Sequence, residues 1–405
     1  MVFKCQEDSF LKEFTTRVKS IEPLPDQKGA FVIFDDTILF PEGGGQPCDH
    51  GTVNGLPVTN VIRKAGDALH FISTSDDLPL KPGDEVTQTV NWERRHDHMQ
   101  QHSGQHLITA IFDREFKIGT KSWWLGEKTS YVDLDAKDVT QDQIMHVERI
   151  CNELIANATP VKVDVYAADD PVLQSEELRA PRDLPEDVVG PIRVVTIEGV
   201  ESNRCCGTHV KHLGQLQVVK LLNLEKTKGK LMLNFLVGNR VLTKLGECFE
   251  RECQLNTILN GAPDRHLELA TKLQANQKSS LKLLKTLAKE LAQFEVQKFT
   301  QSDEKRFYFV HRHDGIDPEF QNNFLRHISD NKETLFFITI GDDSNKGSFL
   351  LQGPPEIINE LKDQICTKLD AKGNGKGNRF QGKVNNLKGV KDCDKLIIKY
   401  FDSLS

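Results

Sequence analysis

The hexapeptide QHSGQH, Gln101 to His106, decides how this chain is read. It lies within Trp92 to Phe112, where Met99, Leu107, Ile108 and Ile111 recur among polar residues at a helical period. A helix there puts His102 and His106 one turn apart on the same face, where two imidazoles can share one metal ion. They cannot complete its shell. About a hundred residues on, RCCGTH repeats the four-residue offset with Cys205 and His209. Either pair alone is common among solvated or core residues; together, His102, His106, Cys205 and His209 make a donor set of three imidazoles and one thiolate that suits zinc. His98 is also four residues from His102 on the same face, so helical geometry alone leaves the pairs His98/His102 and His102/His106 both open.

The chain has 405 residues and a formal net charge of -7. The length accommodates roughly two to four domains, and the charge excludes a uniformly basic nucleic-acid coat, so any RNA contact must be local. The N-terminus mixes charges of both signs without an apolar core, which argues against a secretory signal. No apolar run approaches the ~20 residues of a membrane span. Nine cysteines, an odd number without regular spacing, read as reduced thiols of a soluble cytoplasmic protein. Those outside RCCGTH have no nearby Cys or His in a metal spacing.

An α+β architecture in four parts is expected. Residues 1–90 carry short β segments, Ala30 to Phe34, Thr37 to Phe40, Leu56 to Ile62 and Ala68 to Ile72. Turn signals at Pro25-Asp26, Asn54-Gly55 and Pro82-Gly83 separate them, which suits a small antiparallel barrel or sandwich. Residues 91–240 combine the histidine helix with a helix over Gln141 to Ala156. Strands are expected at Thr129 to Leu134, Val161 to Ala167 (half-buried), Gly190 to Ile197, Leu216 to Leu222 and Leu231 to Val237. Asp169 to Val189 breaks every period and reads as an exposed excursion. Residues 241–300 are helical, interrupted by GAP at Gly261 to Pro263; Leu273, Leu284, Leu287, Leu291 and Phe294 keep an approximate heptad, as in a helical hairpin or a dimerising arm. Residues 301–405 alternate β and α as a small α/β domain. Its AKGNGKGNRFQGKV segment reads as a flexible basic loop. Between Ala371 and Tyr400 eight Lys/Arg stand against two Asp, an excess that suits a phosphate backbone. Lys372, Lys376, Arg379 and Lys383 are its candidate contacts.

Three motifs, FPEGGGQPCDHG (Phe40 to Gly51), QHSGQHL and CCGTHV, resemble in order and interval those of the editing domain shared by alanyl- and threonyl-tRNA synthetases. The resemblance covers Met1 to about Leu242. The whole chain is similar to the long free-standing alanyl-tRNA editing family, and its last part resembles the C-terminal domain of alanyl-tRNA synthetase. The match assigns the ligands to His102, His106, Cys205 and His209, one zinc per chain, and leaves His96 and His98 outside the shell. Cys206 departs from the glycine found in many relatives, and an adjacent thiol complicates the assignment.

The same resemblance sets Gly43, Gly44 and Gly45 over a substrate pocket with Thr37 in its wall, and implies hydrogen bonds from Glu42 and Gln46. It implies hydrolysis of mischarged tRNA(Ala), chiefly Ser-tRNA(Ala) with Gly-tRNA(Ala) as a second substrate. It also implies tRNA recruitment by the C-terminal part and is compatible with a homodimer. The competing expectation is a non-catalytic tRNA-binding or scaffold protein with a structural zinc. A complete synthetase is disfavoured, because the chain begins in the editing module.

Overall fold

The computed structural model describes residues 2–24, 29–73, 78–175, 178–179, 191–227, 229–312, 318–341 and 346–404. The turn expected at Pro25-Asp26 and most of the Asp169 to Val189 excursion lie outside them. The chain divides into two compact units, Met1–Cys253 and Gln254–Ser405.

The first unit opens with a short helix α1 (Lys4–Glu7) and six strands, β1 (Glu13–Pro23), β2 (Gly29–Phe34), β3 (Gly51–Val53), β4 (Leu56–Lys64), β5 (Asp67–Ser73) and β6 (Glu85–Val90). They close into a barrel in the order β1-β2-β5-β4-β3-β6. Closure leaves no unpaired strand edge. Val18, Val32, Val53, Val58, Val61, Ile72 and Val86 fill its interior. Asn54 and Gly55, with φ of 49° and 83°, make the tight turn between β3 and β4.

Thr37 to Phe40 is not the expected strand. Ile38, Leu39 and Phe40 are all fully buried, yet the segment joins no strand ladder. Side chains replace a ladder there: the Ile38 amide donates to Gln88 Oε1 (2.9 Å), Leu39 to Thr37 Oγ1 (3.0 Å) and Phe40 to Asp49 Oδ2 (2.7 Å).

Beside this segment His70 is fully buried, with Nε2 2.8 Å from Thr37 Oγ1 and Nδ1 3.1 Å from the Val32 carbonyl. Burial pushes its imidazole down to about 4 from an ordinary 6.5. The folded state therefore favours the neutral ring, so this contribution is complete above pH ~6.5 and is lost as the pH falls toward ~4. A shift of this size corresponds to on the order of 3 kcal/mol. Urea unfolding at pH 7.5 and pH 5 is expected to show a smaller acid loss in His70→Gln than in the unsubstituted protein; equal losses would refute the assignment.

Helix α2 (Trp92–Phe116) follows, then β7 (Thr120–Leu125), β8 (Ser130–Leu134), α3 (Gln141–Ala156), β9 (Val161–Tyr166) and β10 (Leu178–Arg179). β11 (Ile192–Ile197), β12 (Glu201–Arg204), β13 (Val219–Thr227) and β14 (Lys230–Val237) complete two four-stranded sheets, β10-β12-β11-β9 and β13-β14-β8-β7. Asn91 caps α2 by accepting from the Arg94 amide. The helix is buried almost throughout, since Leu107, Ile108, Ile111 and Phe112 share a core with Val132, Leu233, Phe235 and Val237.

Two residues of QHSGQH seat the helix on β14. Gln101 donates to the Val237 carbonyl (2.9 Å) and accepts from its amide (3.2 Å). A Cβ on Gly104 would stand 2.5 Å from the Val237 side chain, so only glycine permits this approach. β9 departs from the expected half-buried face: Val163 and Val165 are exposed, on a strand that among the described residues pairs with β11 alone.

The division between units falls within α4 (Asn239–Leu259), and α5 (His266–Gln301) follows the expected break. The second unit holds β15 (Phe307–Arg312), α6 (Pro318–His327), β16 (Leu335–Gly341), β17 (Gly347–Gln352), α7 (Pro355–Leu369), β18 (Ala371–Lys376), β19 (Arg379–Val384) and α8 (Val390–Asp402). Its sheet runs β15-β16-β17-β19-β18. Phe299, Phe320, Phe324 and Phe336 join α5 and α6 to one face, and Phe337, Phe349, Ile365 and Ile397 join α7 and α8 to the other. On α5, Leu273, Leu284, Leu287 and Phe294 of the heptad are exposed.

The basic segment is a hairpin and not a loop. Its register pairs Lys372 with Lys383 and Lys376 with Arg379, so four cations share one face with Asn374 and Gln381. On the other face Gly373 opposes Gly382, where a Cβ on Gly373 would stand 2.5 Å from the Phe380 ring. The glycines serve strand packing there; they are not loop residues.

Candidate metal centre

The two remote pairs meet. The ligating atoms of His102, His106, Cys205 and His209 all lie within 4.8 Å of one another, the only such group of His, Cys, Asp and Glu among the described residues. Cys205 Sγ is 3.4 Å from His102 Nε2 and 3.2 Å from His209 Nε2. Tetrahedral zinc with ordinary Zn–S and Zn–N bonds separates such donors by about 3.5 Å, so the cluster fits the ion. His98 and His96 stand outside it. The helical ambiguity is thereby resolved in favour of His102/His106.

His102 and His209 turn Nε2 toward Cys205, and another residue holds the Nδ1 of each. His102 Nδ1 lies 2.9 Å from Gln46 Oε1, which also accepts from the Thr208 amide (3.0 Å), while Gln46 Nε2 donates to Thr208 Oγ1 (2.9 Å). The glycine-rich motif thus braces a ligand directly. His209 Nδ1 lies 3.0 Å from Ser103 Oγ, which accepts from the Val210 amide. His106 Nδ1 faces Glu201 Oε1 at 3.7 Å. Such outer partners set tautomer and ring orientation. Below the loop, Arg193 donates to the carbonyls of Cys205 (3.0 Å) and Gly207 (2.7 Å). A Cβ on Gly207 would collide with the His102 ring at 2.2 Å.

The electrostatics suit a thiolate. Burial pushes the Cys205 thiol up, but the positive potential of His102, His209 and His106 outweighs it and holds the thiol well below its ordinary 9.0. Burial likewise opposes charge on His106, yet Cys205 and Glu201 raise it to about 9. Cys206 behaves oppositely: burial and the neighbouring thiolate push it up to about 11.

The Cys206 thiol does not join the cluster and turns to the glycine strip, where a Cβ on Gly44 would stand 2.7 Å from its Sγ. Gly44 also has φ of 59°, and Gly45, at 78°, rests against the Trp123 indole. Gln6 Nε2 reaches over from α1 to the Cys206 carbonyl (2.6 Å). Cys206→Ser is therefore expected to leave the metal content per chain, read by atomic absorption, the same as that of the unsubstituted protein. Gly44→Ala is expected to lower the midpoint of thermal unfolding, with part of the loss recovered when Cys206→Gly removes the contact and the rest kept by the φ of 59°; no recovery would refute the contact as a contributor.

Of the other expected pocket residues, Glu42 is exposed and Thr37 is buried within the barrel, its hydroxyl engaged by His70, Gln88 and the Leu39 amide. Sequence reading missed Ser103, Arg193 and Glu201. Ser103 lies inside QHSGQH, and Glu201 lies four residues before Cys205, but neither bears a spacing signal of its own.

Residues 192–232, from β11 into β14, match the family described as the threonyl and alanyl tRNA synthetase second additional domain. The chain is 41% identical to the alanyl-tRNA editing protein Aarsd1-A of Xenopus laevis, over 100% of this chain and 99% of that protein. It is 42% identical to Aarsd1 of Mus musculus over the same shares. It is also 24% identical to AlaX-L of Pyrococcus horikoshii over 93% of each. With QHSGQH and RCCGTH converging on one cluster and full-length likeness on both sides of it, the chain belongs to the alanyl-tRNA editing protein family.

Proposed function

We propose that this protein is a zinc-dependent, cytoplasmic hydrolase that deacylates mischarged tRNA(Ala), chiefly Ser-tRNA(Ala), with Gly-tRNA(Ala) as a second substrate. One observation carries this reading. Four donors from two distant segments share one buried point, and Gln46 of the glycine-rich motif is bonded to one of them. The relatives' names, alanyl-tRNA editing proteins, supply the substrate class.

Bound by His102, His106, Cys205 and His209, zinc would supply Lewis-acid chemistry, polarising an ester carbonyl or lowering the pKa of water toward ~7. The chain's own groups keep the site ready: Gln46 and Ser103 hold His102 and His209 as Nε2 donors, and Glu201 faces His106. Gly43, Gly44 and Gly45 bring backbone close to the acylated ribose without a Cβ in the way. Exposed Glu42 adds a hydrogen bond at the rim, while buried Gln46 acts through His102, and Thr37, its hydroxyl engaged by His70, Gln88 and the Leu39 amide, supports the glycine strip from the barrel. An aminoacyl ester is already activated, so positioning of water and substrate is the main task. A synthetase pocket made for alanine excludes serine by only about a hundredfold, which leaves a second, hydroxyl-reading site to remove the error.

The face bearing Lys372, Lys376, Arg379 and Lys383 recruits the tRNA backbone. Like charges directly opposite one another weaken a strand pair, so this face is better matched to an external polyanion. Lys376→Ala with Arg379→Ala is expected to weaken tRNA binding about tenfold and to reduce the slope of log K against log salt by about 2. An unchanged slope would exclude the hairpin. The exposed apolar stripe of α5 suits a second copy of the chain.

Zinc-loaded protein is expected to deacylate Ser-tRNA(Ala), to spare Ala-tRNA(Ala), and to stop when the ion is chelated. Equal rates on both would defeat the specificity. The rival reading, a tRNA-binding scaffold with a purely structural ion, draws on the complete four-ligand set, and predicts no turnover at all.

A further inference from the structure

We infer that Arg193 and Gln6 are positioning residues for the metal: neither is a ligand, and together they hold the turn from Cys205 to Gly207 in the shape that lets Cys205 bind zinc, an inference that rests on the zinc reading above and on no step of turnover. The turn begins where the chain leaves β12 after Arg204, so its carbonyls need partners other than a strand. Side chains take all three. Arg193 Nη1 donates to the carbonyls of Cys205 (3.0 Å) and Gly207 (2.7 Å), and Gln6 Nε2 donates to that of Cys206 (2.6 Å).

The surroundings of Arg193 suit this task and no other. Its carbonyl accepts from the Cys205 amide (3.2 Å), so backbone and side chain grip the same residue from both sides. The side chain is buried, and its Nε and Nη2 have no hydrogen-bond partner, so every hydrogen bond of the guanidinium goes to the metal turn. Burial works against its charge, and the groups that favour that charge are the sulfurs of Cys205, Cys206 and Cys5. A buried cation so placed costs stability; the turn is what it holds in return. Fixed in this way, the Gly207 amide donates to Cys205 Sγ (3.4 Å), a charge-assisted bond when the sulfur is a thiolate.

Gln6 ties the turn to the barrel side of the site. Its Oε1 accepts from the Phe3 amide (2.9 Å), so both ends of its own amide are engaged. The neighbouring Cys5 amide donates to the Thr37 carbonyl (3.1 Å). Helix α1 therefore reaches from the segment that leads into the glycine strip to the metal turn. Gln6 is only 3% exposed, so it acts through the turn and not on a substrate. Residues that orient ligands from outside typically change metal affinity by about tenfold to a hundredfold.

The test titrates full-length, zinc-loaded protein with a chromophoric chelator, and records the thiolate-to-metal absorption of the cobalt-substituted protein, which reports on the Cys205 sulfur. Arg193→Gln is expected to weaken zinc binding about tenfold to a hundredfold. It should also move the cobalt absorption to lower energy, because a sulfur without its N–H bond gives up charge more readily. With zinc withheld by excess chelator, its midpoint of thermal unfolding should be no lower than that of the unsubstituted protein, since a buried charge without a carboxylate has been removed. Gln6→Met, on a four-residue helix at the start of the chain, should weaken zinc binding in the same direction. Unchanged zinc affinity in either variant would overturn the inference and leave the metal centre standing. So would an Arg193→Gln protein that fails to fold or is much less stable without zinc, because Arg193 would then be a core residue. An unsubstituted protein that binds neither zinc nor cobalt would overturn the metal centre and the inference together. Zinc binding weakened by both substitutions, without deacylation by the unsubstituted protein, would overturn the hydrolase and uphold the positioning role.

Discussion

Replacing Cys205 with serine is expected to reduce zinc from one ion per chain to near none and to lower Ser-tRNA(Ala) deacylation by about a thousandfold or more. Cys205 Sγ is within 3.4 Å of the inward nitrogens of both His102 and His209, and those imidazoles hold it as a thiolate. A serine hydroxyl in its place would be neutral and a poor partner for zinc. Loss of an ion that stabilises several kcal/mol of developing charge corresponds to at least three orders of magnitude in rate. Cys206→Ser is the internal control, because its thiol faces Gly44 and not the cluster. If Cys205→Ser retained a full ion while Cys206→Ser lost it, the ligand assignment would be wrong. His106→Ala separates catalytic from structural roles: the hydrolase reading expects turnover to fall far more steeply than thermal stability, and a scaffold expects only stability to move.

Asp49→Asn is the second large effect, and it is one of stability. Asp49 and Arg95 form an ion pair with both side chains fully buried, and Arg95 also donates to the carbonyls of Ser9 (2.9 Å) and Ile38 (2.5 Å). The pair ties the start of α2 to the barrel, and Asp49 holds the Phe40 amide as well. Neutralising one partner strands a buried guanidinium, at a cost of about 3–5 kcal/mol. For a unit of this size the midpoint of thermal unfolding should fall by about 10 °C, measured by calorimetry with zinc present. A change below about 2 °C would mean that the pair contributes little. Since the Ile38 to Phe40 segment leads into the glycine strip, weaker zinc retention is expected with it.

Much of this was legible beforehand. The helix over Gln141–Ala156 matches its expected limits, because its apolar residues keep one period from end to end. The histidine helix was legible too, although its apolar spacing gave no sign that it would be buried nearly all round. Two local readings failed for identifiable reasons. Thr37 to Phe40 has strand-like residues, but side chains of Gln88 and Asp49, remote in sequence or across a turn, satisfy its amides. The glycines of AKGNGKGNRFQGKV looked like flexibility, whereas they admit close packing of paired strands.

By itself the sequence offered the donors, since a metal demands particular atoms and the histidines of α2 and Cys205/His209 stand at four-residue offsets; the offsets left His98/His102 and His102/His106 open, and the family resemblance chose the second. The sequence equally determined the glycine strip, which marks where a Cβ has no room. The tertiary structure decided that His102, His106, Cys205 and His209 meet, that His102 and His209 turn Nε2 toward Cys205, and that Gln46 and Ser103 hold the other nitrogen of each while Glu201 faces His106. Contacts such as Gln46 to His102 or His106 to Glu201 leave no period in the chain. They arise only when barrel, helix and sheet bring distant segments within reach of a hydrogen bond or an ion pair.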